Sequence, residues 1–492
     1  MPLVMGVDSS TRSTKLEVRD ADDGTLVASG QAPHPDARPP RSEQDPRSWW
    51  NALLSAITEA GVRDVAALSV AAQQHGMVAL DAAGAVLRPA KLWNDIESTP
   101  DAARMIEHIG AQRWGRVCGS VPTAGSTISK LAWLARVEPR TFARIGTVLA
   151  PHDHLTYRLT GRFVTDRGDA SASGYWSPTD DRWRPELLER AVGAHPSGSW
   201  SDKLPEVLGP SEPSDWLSAS THDVLGLRGR PLCGPGTGDT MAAALGVGLA
   251  RADVVISLGA SARLFSRSLR PTADGTGAIA GLADATGEFL PLVLRRNATV
   301  ATDAIARVLG VDRDELDELA LSAPTGARGV VLLPDASAQR TPARSSALGS
   351  LVGLHADVTR EQIARAAFEG VVCSALDSLD ALGAAGVDTS GRLVLIGAGA
   401  RSRAYQRVVA DLSGRDVLVP DGDEHIATGA CVQAAAVLHG CAPDDVAAAW
   451  GLRSGEMIAP EPRVDRAGVR RAHALARHPG AEAPKNMKDH EE

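Results

Sequence analysis

In the stretch GPGTGDTMAAALGVG, residues 234–248, one carboxylate stands where a glycine-rich turn gives way to a run of small, helix-forming residues. That residue is Asp239. Aspartate is favoured at helix N-caps, so its plainest role is to order the helix. A second role is chemical. The positive end of a helix dipole favours an ionised carboxylate. Such a carboxylate, held beside a phosphoryl donor, can take the proton of an attacking hydroxyl. Gly238, Ala242 and Ala243 are small enough to let a substrate approach.

Other stretches also carry polar groups at element ends. Asp8 closes the apolar run LVMGV and is followed by SSTRSTK. Turn N–H groups and Ser/Thr hydroxyls donate to phosphate oxygens, whereas Asp8 repels phosphate and suits a hard cation such as Mg²⁺. Its plain alternative is an Asx turn in a simple hairpin. A second turn, Gly259-Ala260-Ser261, follows another apolar run. The segments AAQQHG and KLWND place Gln73, Gln74, His75, Trp93, Asn94 and Asp95 at strand ends, where carbohydrate hydroxyls would find donors and acceptors and Trp93 an apolar face. In VLIGAGARSRAYQ, Gly397 and Gly399 have half of a dinucleotide fingerprint. Ser402 occupies the third glycine position, so the segment reads as a strand-to-helix turn open to a base or ribose. His152, Asp153 and His154 invite a metal reading. Adjacent helical positions diverge and no third ligand is evident, so they are read as structural.

The elements that must position these groups follow from hydrophobic spacing. LVMGVDSSTRSTKLEVRD reads as a hairpin, GTLVASGQA as a third strand, WWNALLSAITEA as an amphipathic helix and VAALSVAAQQHG as a strand entering a polar loop. DVVISLGASARLFSRS repeats the opening hairpin about half a chain later, followed by a long helix and then a strand, a glycine turn and a helix. The repetition implies a duplicated α/β architecture with a cleft between the copies. The link between halves is expected near Gly246–Asp253, giving regions 1–245 and 250–445. The polar segment 479–492 is expected to be a disordered tail.

Composition narrows the function classes. A chain of 492 residues exceeds one ordinary core, and its 43% hydrophobic and 23% charged content suits a soluble globular protein. A net charge of −9 without a Lys/Arg run offers no basic face to nucleic acid. No apolar stretch of about 18 residues suggests a membrane span, and no signal peptide is read at the N-terminus. Five irregularly spaced cysteines without a C-x-x-C fit reduced thiols in a cytoplasmic protein. The partner expected is a small molecule.

Taken in order, GVDSSTRSTK, QQHGMVALD, RPAKLWND, TGRFVTDRGDASASGYW, GPGTGDTMAAALGVG, SLGASA and GAGARSRAYQ resemble the FGGY family of carbohydrate kinases over about residues 3–440. The resemblance implies a duplicated actin-like ATPase (ribonuclease H-like) fold, with sugar deep in the interdomain cleft and ATP held mainly by the C-terminal half. It implies transfer of the ATP γ-phosphate to a terminal sugar hydroxyl with Mg²⁺, the sugar expected being D-xylulose and the alternatives another ketose, a polyol or gluconate. By motif match, Asp239 is similar to the catalytic base, Asp8 to the aspartate near the metal, and Thr11 and Ser13 to the first phosphate turn. Gln74 and His75 match the sugar-contacting pair, with Asn94, Asp95 and Thr240 beside it. Gly259 and Ser261 fall in the second phosphate turn, and Gly397, Ala398 and Arg401 in the adenosine region. Three departures bear on the sugar: Thr240 replaces the usual Asn, Gln74 a frequent Met, and SAQRTP a Gly-Glu-Arg-Thr-Pro pattern. A non-catalytic sugar-sensing protein on the same fold is the competing class, and a homodimer is left open.

Overall fold

Each of the two apolar hairpins becomes the centre of its own sheet. The computed structural model of the chain describes residues 1–334 and 349–477, so SAQRTP and the expected tail lie outside the described residues. The first sheet contains β1 (Leu3–Ser9), β2 (Ser13–Asp20), β3 (Leu26–Pro33), β4 (Ala67–Ala72), β5 (Asp215–Trp216), β6 (Leu232–Cys233) and β7 (Thr237–Gly238). The second contains β8 (Val254–Leu258), β9 (Ala262–Ser266), β10 (Ala280–Ala283), β11 (Phe289–Arg295), β12 (Leu393–Ile396), β13 (Val417–Pro420) and β14 (Gly455–Ile458).

The spatial orders are β3-β2-β1-β4-β6-β5, with β7 also pairing β4, and β10-β11-β9-β8-β12-β13-β14. Apart from β7 and β10 the sheets superimpose in pairing sense. In each, antiparallel ladders run through the hairpin and its third strand, two parallel pairings follow, and an antiparallel edge strand closes the sheet. β1 and β8 are the apolar centres, buried because both faces are covered. The protein thus has a two-domain α/β fold with two mixed sheets, as the duplicated hairpin predicts.

The helices that bear on the site are α1 (Pro46–Ala60), α2 (Pro151–Thr160), α3 (Arg167–Ala172), α4 (Asp239–Gly246), α5 (Arg360–Ala384), α6 (Arg403–Ser413) and α7 (His425–His439). α1 starts at Asp45, whose side chain accepts from the Arg47 N–H, and stops at Gly61 in the left-handed region. The helix-rich segment between the first strands and α4 has a core of its own around Trp114, Ile128, Leu131 and Phe142. Among the described residues no single helix is long and apolar enough to cross a membrane.

α4 and α7 bridge the two sheets. α4 follows the first sheet in sequence but shares a core with Val255, Phe265, Val394 and Ile396 of the second. α7 follows the second sheet but lies on β1 and β4 of the first. Three glycines allow this. A Cβ at Gly6 of β1 would strike the Ala427 carbonyl of α7; one at Gly246 would strike His425, and one at Gly429 would strike Ala242. The helices therefore touch backbone to backbone. Gly429→Ala is expected to destabilise the protein by about 1–3 kcal/mol through overpacking. Chemical denaturation checks this, and an unchanged midpoint would contradict the close approach.

Candidate active site

A cavity of about 960 Å³ opens between the hairpin turns, lined by Asp8, Thr11, Ser13, Trp93, Asn94, Asp239, Gly259, Ser261 and Arg263 among others. A smaller one of about 190 Å³ adjoins it, lined by Thr240, Gly397, Asp423 and Glu424, and shares Asp8, Lys15, Asp239, Ser257 and Arg263 with the first. The two phosphate-type turns thus meet around Asp239.

Asp239 is not the cap of its helix. Gly238 holds the N-cap position, Asp239 is the first helical residue, and no side chain caps the end. The carboxylate is free for other partners. Thr240 Oγ1 donates to its Oδ1 at 3.0 Å, and Arg263 Nη1 donates to its Oδ2 at 3.0 Å. β7 brings the carboxylate to the cleft by pairing alongside Ala71 and Ala72, just before Gln73 and Gln74.

Asp8 lies at the end of β1, opposite Lys15 across the hairpin. Burial pushes its carboxyl up to about 7. The charges of Asp239 and Glu424 add to the rise, while a hydrogen bond from Ser10 and the charge of Lys15 oppose it. Lys15 reaches from the first sheet to Glu424 beside α7 at 2.6 Å.

The first turn is anchored from below. Thr11 Oγ1 accepts from Trp93 Nε1 at 2.9 Å, and the Thr11 carbonyl accepts from Gln44 Nε2 at 2.9 Å. The second turn is tied through its own carbonyls, Gly259 accepting from Thr299 N and Ala260 from Ala298 N. Gly397 needs to be glycine: its φ is 86°, and a Cβ would lie 2.7 Å from the Leu258 carbonyl oxygen. Ala398 is exposed beside it. Arg401 stands outside both cavities and pairs at 2.8 Å with Asp423, which lines the smaller one.

The sugar-type residues divide. Asn94 lines the larger cavity, and its buried Oδ1 has no hydrogen-bond partner. Asp95 does not face the cavity. Its carboxylate accepts from Ser42 N, Glu97 N and Lys91 Nζ, and it is fully buried. The expectation that both residues of the pair contact ligand is corrected accordingly. With Glu43 and Glu97, Asp95 surrounds the Lys91 ammonium, which also lies 3.9 Å from the centre of the Trp133 ring. Gln74 is buried with its Nε2 3.2 Å from Met241 Sδ, the side chain lying against Gly238. His75 adopts φ 62°, a strained conformation for a side chain of its size. Lys130 and Thr127 donate to its carbonyl and Nδ1 lies 2.9 Å from the Ala172 carbonyl, which together hold that conformation. Burial, with help from the Lys130 charge, lowers its imidazole to about 4, so the ring is neutral.

Two family models match this chain, the N-terminal domain of the FGGY family of carbohydrate kinases over residues 3–246 and the C-terminal domain over residues 255–438. The chain belongs to the FGGY family of carbohydrate kinases. It is 43% identical over 463 residues to a xylulose kinase of Streptomyces coelicolor, covering 93% of this chain and 92% of that one. A xylulose kinase of Streptomyces rubiginosus is also 43% identical, over 460 residues, with 93% and 92% covered. The crystal structure of a xylulose kinase from Bifidobacterium adolescentis aligns with TM-score 0.82 and 37% identity, covering 97% of this chain and 99% of that one. The protein is therefore an ATP-dependent sugar kinase on the actin-like ATPase fold.

Beneath the cleft of this FGGY kinase lies a buried cluster that the sequence concealed. His152 Nε2 is 2.9 Å from Asp153, 3.3 Å from Asp166 and 3.7 Å from Asp169. The argument that neighbouring helical side chains diverge fails here, because the Asp153 side chain turns back to accept from Ala150 N at the start of α2. Asp166 caps α3 through Gly168 N and Asp169 N and accepts from Thr237 Oγ1 at 2.6 Å, two residues before Asp239. TGRFVTDRGDASASGYW was thus a usable signal, but for the floor of the site. Among the described residues, the one cluster of three metal-ligand side chains drawn close together is Glu43, Asp95 and Glu97, which Lys91 already occupies.

Burial pushes the Asp153 carboxyl up to about 8. From about pH 4 to about pH 8 the folded protein keeps a proton that the unfolded chain has lost, so stability falls as pH rises through that window. Asp153→Asn is expected to lose less melting temperature than wild type between about pH 5 and about pH 8. Parallel declines in thermal melts would contradict the buried, protonated Asp153.

Proposed function

We propose that this kinase transfers the γ-phosphoryl group of ATP to the terminal hydroxyl of D-xylulose, giving D-xylulose 5-phosphate. The observation that carries the reading is the meeting of the Asp239 carboxylate with two polar turns, one from each sheet, around a single cavity. The acceptor is supported by the xylulose kinases that share 43% of this sequence.

In this reading Asp239 takes the proton of the acceptor hydroxyl, whose oxygen then attacks phosphorus. The turns containing Thr11, Ser13, Gly259 and Ser261 donate to phosphate oxygens. The bare backbone at Gly397 and Ala398 admits the adenosine, and Arg401 fixes Asp423 at its rim. Asn94 faces the sugar hydroxyls, its unpartnered Oδ1 open to a donor, and Gln74 and His75, buried outside the cavity linings, reach the sugar on a rearrangement of their side chains. Asp95 positions the Asn94 loop through Lys91, and Thr240 holds Asp239. Closure of regions 1–245 and 250–445 around the substrates excludes water, the competing acceptor.

Asp8 fits a divalent cation. It is a hard, buried oxygen ligand, raised to about 7 by burial and by the neighbouring charges of Asp239 and Glu424, an excess of negative charge that Mg²⁺ would offset. When bound there, Mg²⁺ supplies charge neutralisation at the phosphate oxygens.

ATP consumption measured against a panel of pentuloses, hexuloses, polyols and gluconate tests the acceptor. D-Xylulose is expected to give the highest kcat/KM; a panel in which it is inert while another acceptor turns over would overturn the assignment. Asp239→Asn is expected to lower kcat by about 10²–10⁴-fold while sugar binding, followed by calorimetry, is kept. Wild-type turnover in that variant would remove the base from the scheme.

A further inference from the structure

Arg263 is the residue of the cleft that neither the turns nor the base explain. It is the second residue of β9, two positions beyond Ser261. Ala262 and Leu264 on either side are buried in the second core, so strand alternation turns Arg263 the other way, into the cleft. It lines both cavities, as do Asp8 and Asp239. Its Nη1 donates to Asp239 Oδ2 at 3.0 Å and to Thr240 Oγ1 at 3.2 Å. Thr240 in turn donates to Asp239 Oδ1, so both oxygens of the carboxylate are engaged. The guanidinium carbon lies 6.0 Å from the centre of the Trp93 ring, at the edge of cation–π range. A guanidinium has five N–H donors; among the described residues, the hydrogen bonds of Arg263 use Nη1. Lys15, the other cation shared by the two cavities, is tied to Glu424 at 2.6 Å.

We infer that Arg263 is a catalytic residue that couples acceptor binding to phosphoryl transfer: it covers the Asp239 carboxylate while the sugar site is empty, yields that carboxylate to the acceptor hydroxyl, and then donates to the oxygens of the phosphoryl group in flight. The inference rests on the reading of Asp239 as base. Its position supports the hand-over, since Arg263 follows the Gly259–Ser261 turn by two residues, contacts the carboxylate at 3.0 Å and lines the same cavity as both. Rotation about the long Arg263 side chain, 28% exposed, moves the fork from one partner to the other without displacing β9. The step balances. The hydroxyl proton goes to Asp239, an oxygen–phosphorus bond forms, and the bond from the γ-phosphorus to its bridging oxygen breaks. The electron pair leaves with ADP, and the arginine keeps its proton throughout. A covered base also activates water poorly, which keeps ATP hydrolysis low before the sugar arrives.

The test uses the full chain, with the wild type assayed beside Arg263→Met, Arg263→Lys and Arg263→Ala. Arg263→Met is expected to lose about 10²–10³-fold in sugar-dependent kcat while KM for ATP moves less than about threefold. The ratio of sugar-independent ATP hydrolysis to sugar phosphorylation is expected to rise. Guanidinium ion is expected to restore part of the turnover of Arg263→Ala, a response that a purely structural ion pair would not give. If the Met and Ala variants do not fold, Arg263→Lys is read instead: at least about tenfold lower kcat at an unchanged melting temperature supports the role. A folded Arg263→Met with wild-type kcat, a folded Arg263→Ala without guanidinium response, or a wild-type-like Arg263→Lys where the others fail to fold, overturns it. An active wild type with these results leaves the kinase reading standing. A wild type that phosphorylates no acceptor overturns both.

Discussion

The close approach of α4 and α7 is the constraint on which the site depends. α7 lies on the sheet of the other half, α4 shares a core with both sheets, and the two helices meet backbone to backbone at Gly246 and Gly429. The same contact locates two acidic groups of the cleft, Asp239 and Asp8. Asp239 is the first residue of α4. Asp8 lies two residues beyond Gly6, the point on β1 where α7 presses down. A side chain at any of these glycines would force the helices or the sheet apart and separate the two carboxylates. The contacts beside it are polar and cross between the halves: Ser69 to Gln433 at 2.6 Å, Thr428 to Glu17 at 2.8 Å, and Gln433 to the Gly236 carbonyl at 3.0 Å. Buried hydrogen bonds of this kind fix register rather than merely add area.

Charge distribution then decides what the cleft can bind. In the smaller cavity Asp8, Asp239, Asp423 and Glu424 face Lys15 and Arg263, and there the excess is negative. Burial makes the imbalance costly, and the raised Asp8 carboxyl is its visible sign. Such a site favours a ligand that arrives with a cation, as a nucleoside triphosphate with Mg²⁺ does. The floor beneath holds its acids differently. His152, Asp153, Asp166 and Asp169 are sealed from solvent, and there burial holds His152 neutral and keeps a proton on Asp153. The hydrogen bond from Thr237 to Asp166 helps set the strand that leads into Asp239.

Much of the fold was legible because hydrophobic pattern and turn chemistry agree. Both hairpins are apolar runs around turns of small and hydroxyl residues, and the structure places them at the centres of matching sheets. Periodicity identified the helices, but it cannot say which sheet a helix covers, and the bridging of the sheets by α4 and α7 was not visible. Asp239 was found because glycines and small residues isolate it, though its capping role belongs to Gly238. Asn94 and Asp95 were inseparable in sequence, since neighbouring loop residues point apart for reasons of backbone geometry. Lys91 claims the second of them. Arg263 was passed over because one charge in an alternating strand reads as a solvated face. His152 and its acids escaped because their convergence depends on Asp153 turning back to the helix start, a local event without a sequence period.

The most direct measurement is the distance from the acceptor hydroxyl to the Asp239 carboxylate in a crystal of the kinase with D-xylulose and a non-hydrolysable ATP analogue. The account predicts a hydrogen bond of about 2.6–3.2 Å, with the same hydroxyl oxygen in line with the γ-phosphorus. A hydroxyl directed elsewhere, with Asp239 facing no bound substrate, would contradict it.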